Sequence, residues 1–367
     1  MKTLKIQEVA NQVRGVSYKP DDLHDSLNDS SVILLRANNI DDGKINFDDV
    51  VYVDKSKVSK EQYLKRGDIL VCASSGSKQL VGKAASVDFE TVCTFGAFCK
   101  VVRPQEEFAR YLGKYFQSNT YRSKISAVAI GANINNIRNE HIDTLDLRVY
   151  DEAKNEEIVH VISCVQSIIE HRKQEIKKLD ELIKARFVEL FGDYHINDKG
   201  FESHKGSELF KFSSGKFLPE ENRLEEGIPV YGGNGIAWYT DSSLVDYPTV
   251  IIGRVGAWCG NVHMVTEPVW ITDNAIYIKE QKTNKFTLEF LTELMKVMDF
   301  HQYADFSGQP KITQKPLETL DYMTPPVEMQ NEFTDFVNQV DKSKVAVQKA
   351  LDEAQLLFDS LMQKYFG

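Results

Sequence analysis

Apolar positions recur at alternating spacings of three and four along two stretches, Asp143–Gly192 and Glu318–Gly367, which align without a gap at a constant offset of 175. Ile158 stands over Phe333, Ile162 over Val337, Val165 over Val340, Ile176 over Leu351, Leu179 over Ala354, Leu182 over Leu357 and Ile183 over Phe358. DTLDL (143–147) matches ETLDY (318–322) at one end, and LFG matches YFG at the other. From Lys154 and from Met329 no Gly or Pro intervenes before the closing glycine. The spacing predicts two long helices with a heptad-like seam, each of about 37 residues and roughly 55 Å. Such helices are longer than a small domain, so two identical seams in one chain are expected to bury each other as an antiparallel pair. The seam positions are Ile158, Ile162, Val165, Ile176, Leu179 and Ile183 on one side. On the other they are Val337, Val340, Leu351, Leu357 and Phe358.

The segments before each helix pattern differently. Short apolar runs bounded by Gly, Asn, Asp and Ser predict strands at Val32–Leu35, Asp49–Val53, Ile69–Ala73, Phe98–Val102, Thr249–Ile252 and Ala275–Ile278. Helices are expected at Phe108–Ser118 and Leu288–Phe300, and polar loops at Tyr121–Asn139 and Tyr303–Lys315. A weaker duplication runs through these segments. RGVSYKPDD (14–22) parallels SGKFLPEE (214–221), GDILVCASSGS (67–77) parallels PTVIIGRVGA (248–257), and IGANINNI (130–137) parallels SGQPKIT (307–313). The fold class expected is α+β, with two similar mixed α/β domains joined by two long antiparallel coiled-coil helices in an internal pseudo-twofold repeat. The segments are 1–150, 151–192, 193–325 and 326–367. Helices that match closely and globular parts that diverge suit two modules doing one job on different targets.

Composition is ordinary for a soluble globular protein, with 27% charged and 42% hydrophobic residues. No apolar run is long enough to span a membrane, the first residues lack a signal-peptide core, and five scattered cysteines without C-x-x-C suit reduced thiols, so a cytoplasmic location is expected. Charge cuts against nucleic-acid binding: the total is −10, with +2 over 1–150 and −7 over 193–325. Any such binding must use local basic clusters or basic partners. The sequence has no G-x-x-x-x-G-K-[ST], no H-E-x-x-H and no G-x-S-x-G. YGGNG (231–235) reads as a turn between strands, because IAWYT rather than a helix follows it. No catalytic residue and no metal site is therefore assigned, and no cofactor is expected in this chain.

The loops do offer groups that read base edges or hold phosphates. The candidates are Arg36, Asn38, Ser75, Lys78, Asn133, Asn135, Asn136 and Arg138 in the first unit. In the second they are Asn234, Trp238, Arg254, Trp258, Gln309 and Lys311. Asn and Gly serve turn geometry equally well, so no single residue is decisive.

Taken in order and in duplicate, GDILVCASSGS, IPVYGGNGI (228–236), GANINNI, the TLD before each long helix and the closing ELFG and KYFG resemble the specificity subunits of type I restriction–modification systems. The resemblance covers essentially the whole chain. It implies that each globular unit is a target recognition domain for one half of a split double-stranded DNA site. It implies that the helices set the gap and dock two modification (methyltransferase) subunits, and that restriction subunits join them. S-adenosylmethionine, ATP and Mg then belong to those partners, and the chain is non-catalytic by itself. One departure stands out: TPPVE (324–328) puts two prolines before the second helix, where the first has VYDEAKNEE (149–157), which leaves the first hinge open. The alternative is a non-catalytic two-headed coiled-coil adaptor that binds protein or glycan.

Overall fold

The computed structural model describes residues 1–77, 80–128 and 135–367. The chain divides into two compact units, Met1–Arg172 with Ala350–Gly367, and Lys173–Lys349. In the first, an antiparallel sheet runs in the order Ala84–Ser86, Ile69–Cys72, Cys99–Pro104, Ala10–Arg14. Strand Ile69–Cys72 is apolar at every position because both of its faces are covered. Ile69 and Val71 enter one core, while Leu70 and Cys72 enter another. A second sheet sets Cys93–Phe95 parallel to Ser31–Leu35, which pairs antiparallel with Val51–Asp54.

The second unit repeats this plan. Its antiparallel sheet runs Phe210–Ser214, Ala275–Gln281, Thr249–Gly253, Val262–Val265. Again one strand is buried on both faces, with Val250 and Ile252 in one core and Ile251 in another. Trp270–Ile271 lies parallel to Ile228–Gly232, which forms a hairpin with Gly235–Thr240. The YGGNG segment is thus a strand turn, as its sequence predicts. Gly15 and Gly215 occupy matching places: a Cβ on Gly15 would stand 2.1 Å from the Gly96 carbonyl oxygen, and on Gly215 2.2 Å from that of Thr272. Only glycine fits so close a crossing. Even an edge ion pair recurs, Lys5–Asp146 in the first unit and Lys205–Asp321 in the second, both at 2.7 Å.

Both long helices form, Glu152–Phe191 and Val327–Phe366, at 40 residues each rather than about 37. The extra residues come from their start. Asp151 caps the first by accepting a hydrogen bond from the Lys154 amide, and the Pro325–Pro326 pair leads into the second. The buried amide side chains Asn155 and Gln330, which align at the offset of 175, both reach back over the hinge. Asn155 Nδ2 donates to the Tyr150 carbonyl and Gln330 Nε2 to that of Pro325. Despite their different sequences, the two hinges carry the same bond.

In the first unit Ile158 and Ile162 share a core with Met362 and Phe366, and Val165 and Ile169 pack with Ala354, Leu351 and Phe358. In the second, Ile183, Phe187 and Phe191 share a core with Phe333, Val337 and Val340, and Asp180 pairs with Lys344 at 2.6 Å. Rising numbers meet falling ones, so the helix segments within each unit run antiparallel. Of the expected seam, Ile176, Leu179, Leu351 and Phe358 are half-buried. Leu357 is not in it: the side chain is 51% exposed, and Phe358 next to it turns inward.

By packing, about half of each long helix belongs to each unit. Two further expectations need correction. The segment Tyr121–Asn139 is not all loop: helix Asn119–Val128 occupies its start, held by buried Tyr121 and Ile125 one turn apart, a two-residue apolar stripe too sparse to stand out among polar neighbours. The helix expected at Phe108–Ser118 is Ala109–Tyr115, and that at 288–300 ends at Val297, after which Asp299 takes a left-handed conformation (φ 46°).

Candidate nucleic-acid interface

The strand that is buried on both faces ends, in each unit, in a two-stranded clasp. In the first, Ser74–Ser75 pairs antiparallel with Asn135–Asn136, and the Ile137 amide donates to the Ala73 carbonyl at 2.8 Å. In the second, Val255 bridges Lys311, the Gly256 amide donates to the Pro310 carbonyl and the Ile312 amide to that of Arg254, both at 2.9 Å. Residues 135–137 and 310–312 are again 175 apart. The scaffold repeats, while its side chains change from Ser, Ser, Asn and Asn to Val, Gly, Pro and Lys.

In the second unit most candidates converge. Asn234 sits exposed at the hairpin turn, and the Gly233 carbonyl accepts from or faces His263 Nε2 at 3.3 Å. A Cβ on Gly253 would come within 2.2 Å of the Trp258 carbonyl oxygen and 2.9 Å of that of Gly233, so the hairpin tip and the 254–261 loop touch through glycine. Arg254 is half-buried and donates from Nη1 to the Asp273 carbonyl. Trp258 is 51% exposed, and Gln309 and Lys311 are exposed on the clasp. Trp238 stands apart, half-buried under the Arg223 guanidinium 4.1 Å from its ring.

The first unit is less unified. Arg36 and Asn38 both donate to Asp49 Oδ2, at 2.9 and 2.7 Å, and so stiffen their own turn. Ser75 accepts from the Ser77 amide; Asn136 is exposed; Arg138 pairs with Glu140 at 3.4 Å. Lys78 and Asn133 lie outside the described residues.

Beside Asn136 opens a cleft of about 740 Å³, lined among others by Arg14, Gly15, Lys100 and Arg138. Lys100 was not among the candidates. Its residue is 6% exposed, and its Nζ donates to Gln12 Oε1 at 3.1 Å and Asn139 Oδ1 at 2.9 Å. Gln12 in turn donates to Asp143 Oδ1. Burial pushes the ammonium down to about 8, with Asp143 opposing the shift and Arg14 adding to it. The signal was available: in CKVVRP, Lys100 shares a face with buried Val102. Because its folded value lies below the unfolded 10.5, the unfolded chain holds more protons between about 8 and 10.5, and stability rises with pH across that window. Thermal melts from pH 7.5 to 10 should show the wild type gaining on Lys100→Met by on the order of 1–3 kcal/mol. A difference constant with pH would contradict this burial.

Among the described residues, no cluster of His, Cys, Asp and Glu is arranged to hold a metal, and no helix is long and apolar enough to cross a membrane. The family described as type I restriction modification DNA specificity domain matches residues 198–354. The chain is 32% identical over 253 residues to the EcoKI type I restriction enzyme specificity subunit of Escherichia coli, covering 69% of this chain and 53% of that protein. It is 33% identical over 183 residues to the StySPI specificity subunit of Salmonella potsdam, covering 50% and 40%. The chain thus spans about half the length of these relatives. Its fold is similar to the crystal structure of a type I restriction–modification S subunit from M. genitalium, with a TM-score of 0.60 and 18% identity over 100% of this chain and 96% of that one.

Proposed function

We propose that this chain, which is similar to type I restriction–modification specificity subunits, is one of them and reads a split DNA sequence, one half with each unit. The clasp carries this reading: one backbone device, at one register, presents different side chains in the two units. Base edges are distinguished by side-chain donors and acceptors, so a constant frame with variable tips is what two different half-sites require. The long helices act as an antiparallel spacer that fixes the gap and docks two methyltransferase subunits, with restriction subunits joining them. S-adenosylmethionine, ATP and Mg are held by those partners, and this chain supplies no catalytic group. Those partners also offset its acidic balance by supplying phosphate contacts.

The test exchanges residues 193–325 for the corresponding segment of another such subunit, leaving both helices in place. Co-expressed with its methyltransferase subunits, the hybrid should methylate adenines in a motif changed in one half only, as read by single-molecule sequencing. A change in both halves, or no motif dependent on this chain, would overturn the assignment.

A further inference from the structure

The two units agree in register closely enough to show where they disagree. Lys100 pairs with Arg14 and Val71 across its neighbouring strands. The same place in the second unit, opposite Ser214 and Ile252, is Ile276. Two residues along, Gln12 opposite Val102 corresponds to Phe212 opposite Ile278. The second unit builds this spot from apolar side chains in its core. The fold therefore has no need of a buried cation there, and burying one is costly.

The surroundings of Lys100 show what would offset that cost. Two of its three ammonium donors are used, on Gln12 and Asn139. The guanidinium of Arg14, exposed on the same cleft, has no hydrogen-bond or ion-pair partner among the described residues, yet is near enough to depress Lys100 further. Arg138 also lines the cleft, in an exposed pair with Glu140, which lines it too. Three cations against the single carboxylate of Glu140 leave this cleft with an excess of positive charge, part of it nearly buried, which an anion would offset. The cleft also reaches Asn136, on the clasp itself.

We propose that the cleft between Arg14, Lys100 and Arg138 seats one backbone phosphate of the DNA, locking the register of the first unit while its clasp faces the bases. The second unit, with Ile276, has no equivalent. Phosphate contacts of this kind position a protein on the duplex without reading sequence. The inference rests on the DNA-reading assignment above, and its test separates the two.

The experiment uses the complex with methyltransferase subunits and measures equilibrium binding of a cognate and a scrambled duplex from 50 to 200 mM KCl. Arg14→Gln changes an exposed residue, and Lys100→Met removes the seat's floor. Each should weaken both duplexes alike, by roughly tenfold. Each should also make the slope of log K against log salt shallower by about 0.9, with the methylated motif unchanged. An unaltered slope in folded Arg14→Gln overturns the seat while leaving the DNA reading intact. A changed preference between duplexes would make it a base-reading site instead. Loss of methyltransferase binding with an unaltered slope would mean that the occupant is an acidic side chain of a partner protein.

Discussion

Phe333→Ala is expected to destabilise the second unit by about 3–5 kcal/mol, the cost of emptying an aromatic site in a rigid core. Phe333 is fully buried, with its ring centroid 5.7 Å from Phe187 and 5.6 Å from Phe191, both on the other long helix. Those two rings also meet Phe290, on the helix that covers the sheet, at 5.7 and 4.6 Å. The cluster thus ties the two long helices to the globular part, with Phe333 joining helix to helix, and edge-to-face geometry adds to the area it buries. Urea unfolding followed by circular dichroism measures the loss. A cost below about 1 kcal/mol would show that the cluster repacks, contrary to the close packing described.

Arg103→Met is expected to cost the first unit a similar 3–5 kcal/mol, for a different reason. Asp68 is 1% exposed and is gripped by Arg103 through Nε at 2.8 Å and Nη2 at 2.7 Å. Arg103 also donates to the Glu61 and Tyr63 carbonyls, so it joins the strand at 99–104 to the turn before the strand at 69–72. The pair raises the Arg103 pKa, chiefly through its hydrogen bond to Asp68. Removing the guanidinium leaves a carboxylate without its counter-charge where water scarcely reaches. Adding Asp68→Leu to the variant should recover part of the loss. If the double variant is less stable than Arg103→Met alone, the buried charge is not the cause.

The long helices and the duplication were legible because a seam repeated at a fixed offset is a property of spacing, and spacing is what a sequence records directly. The doubly buried strands were legible for the same reason, as unbroken apolar runs. Helix Asn119–Val128 was not, since only Tyr121 and Ile125 face inward and the rest resembles a loop. Leu357 and Phe358 are adjacent apolar residues, and spacing alone could not say which one turns into the seam. Among the site candidates, Arg36 and Asn38 carry the right donors but spend them on Asp49, a pairing across a turn that composition does not reveal. Lys100 was missed because a lysine is ordinarily taken as solvated. Its burial depends on Gln12 and Asn139, which approach it only in the folded chain.

The core shared by Ile158, Ile162, Met362 and Phe366 has a bearing on synthesis. The second unit is one unbroken segment, Lys173–Lys349, whereas the first needs Ala350–Gly367 to complete it. As the chain leaves the ribosome, the unit that begins first is therefore finished last. Until residues 350–367 emerge, the apolar face of the first helix around Ile158 and Ile162 has lost part of its cover, and that nascent interval is when the protein is most open to aggregation or to capture by a chaperone.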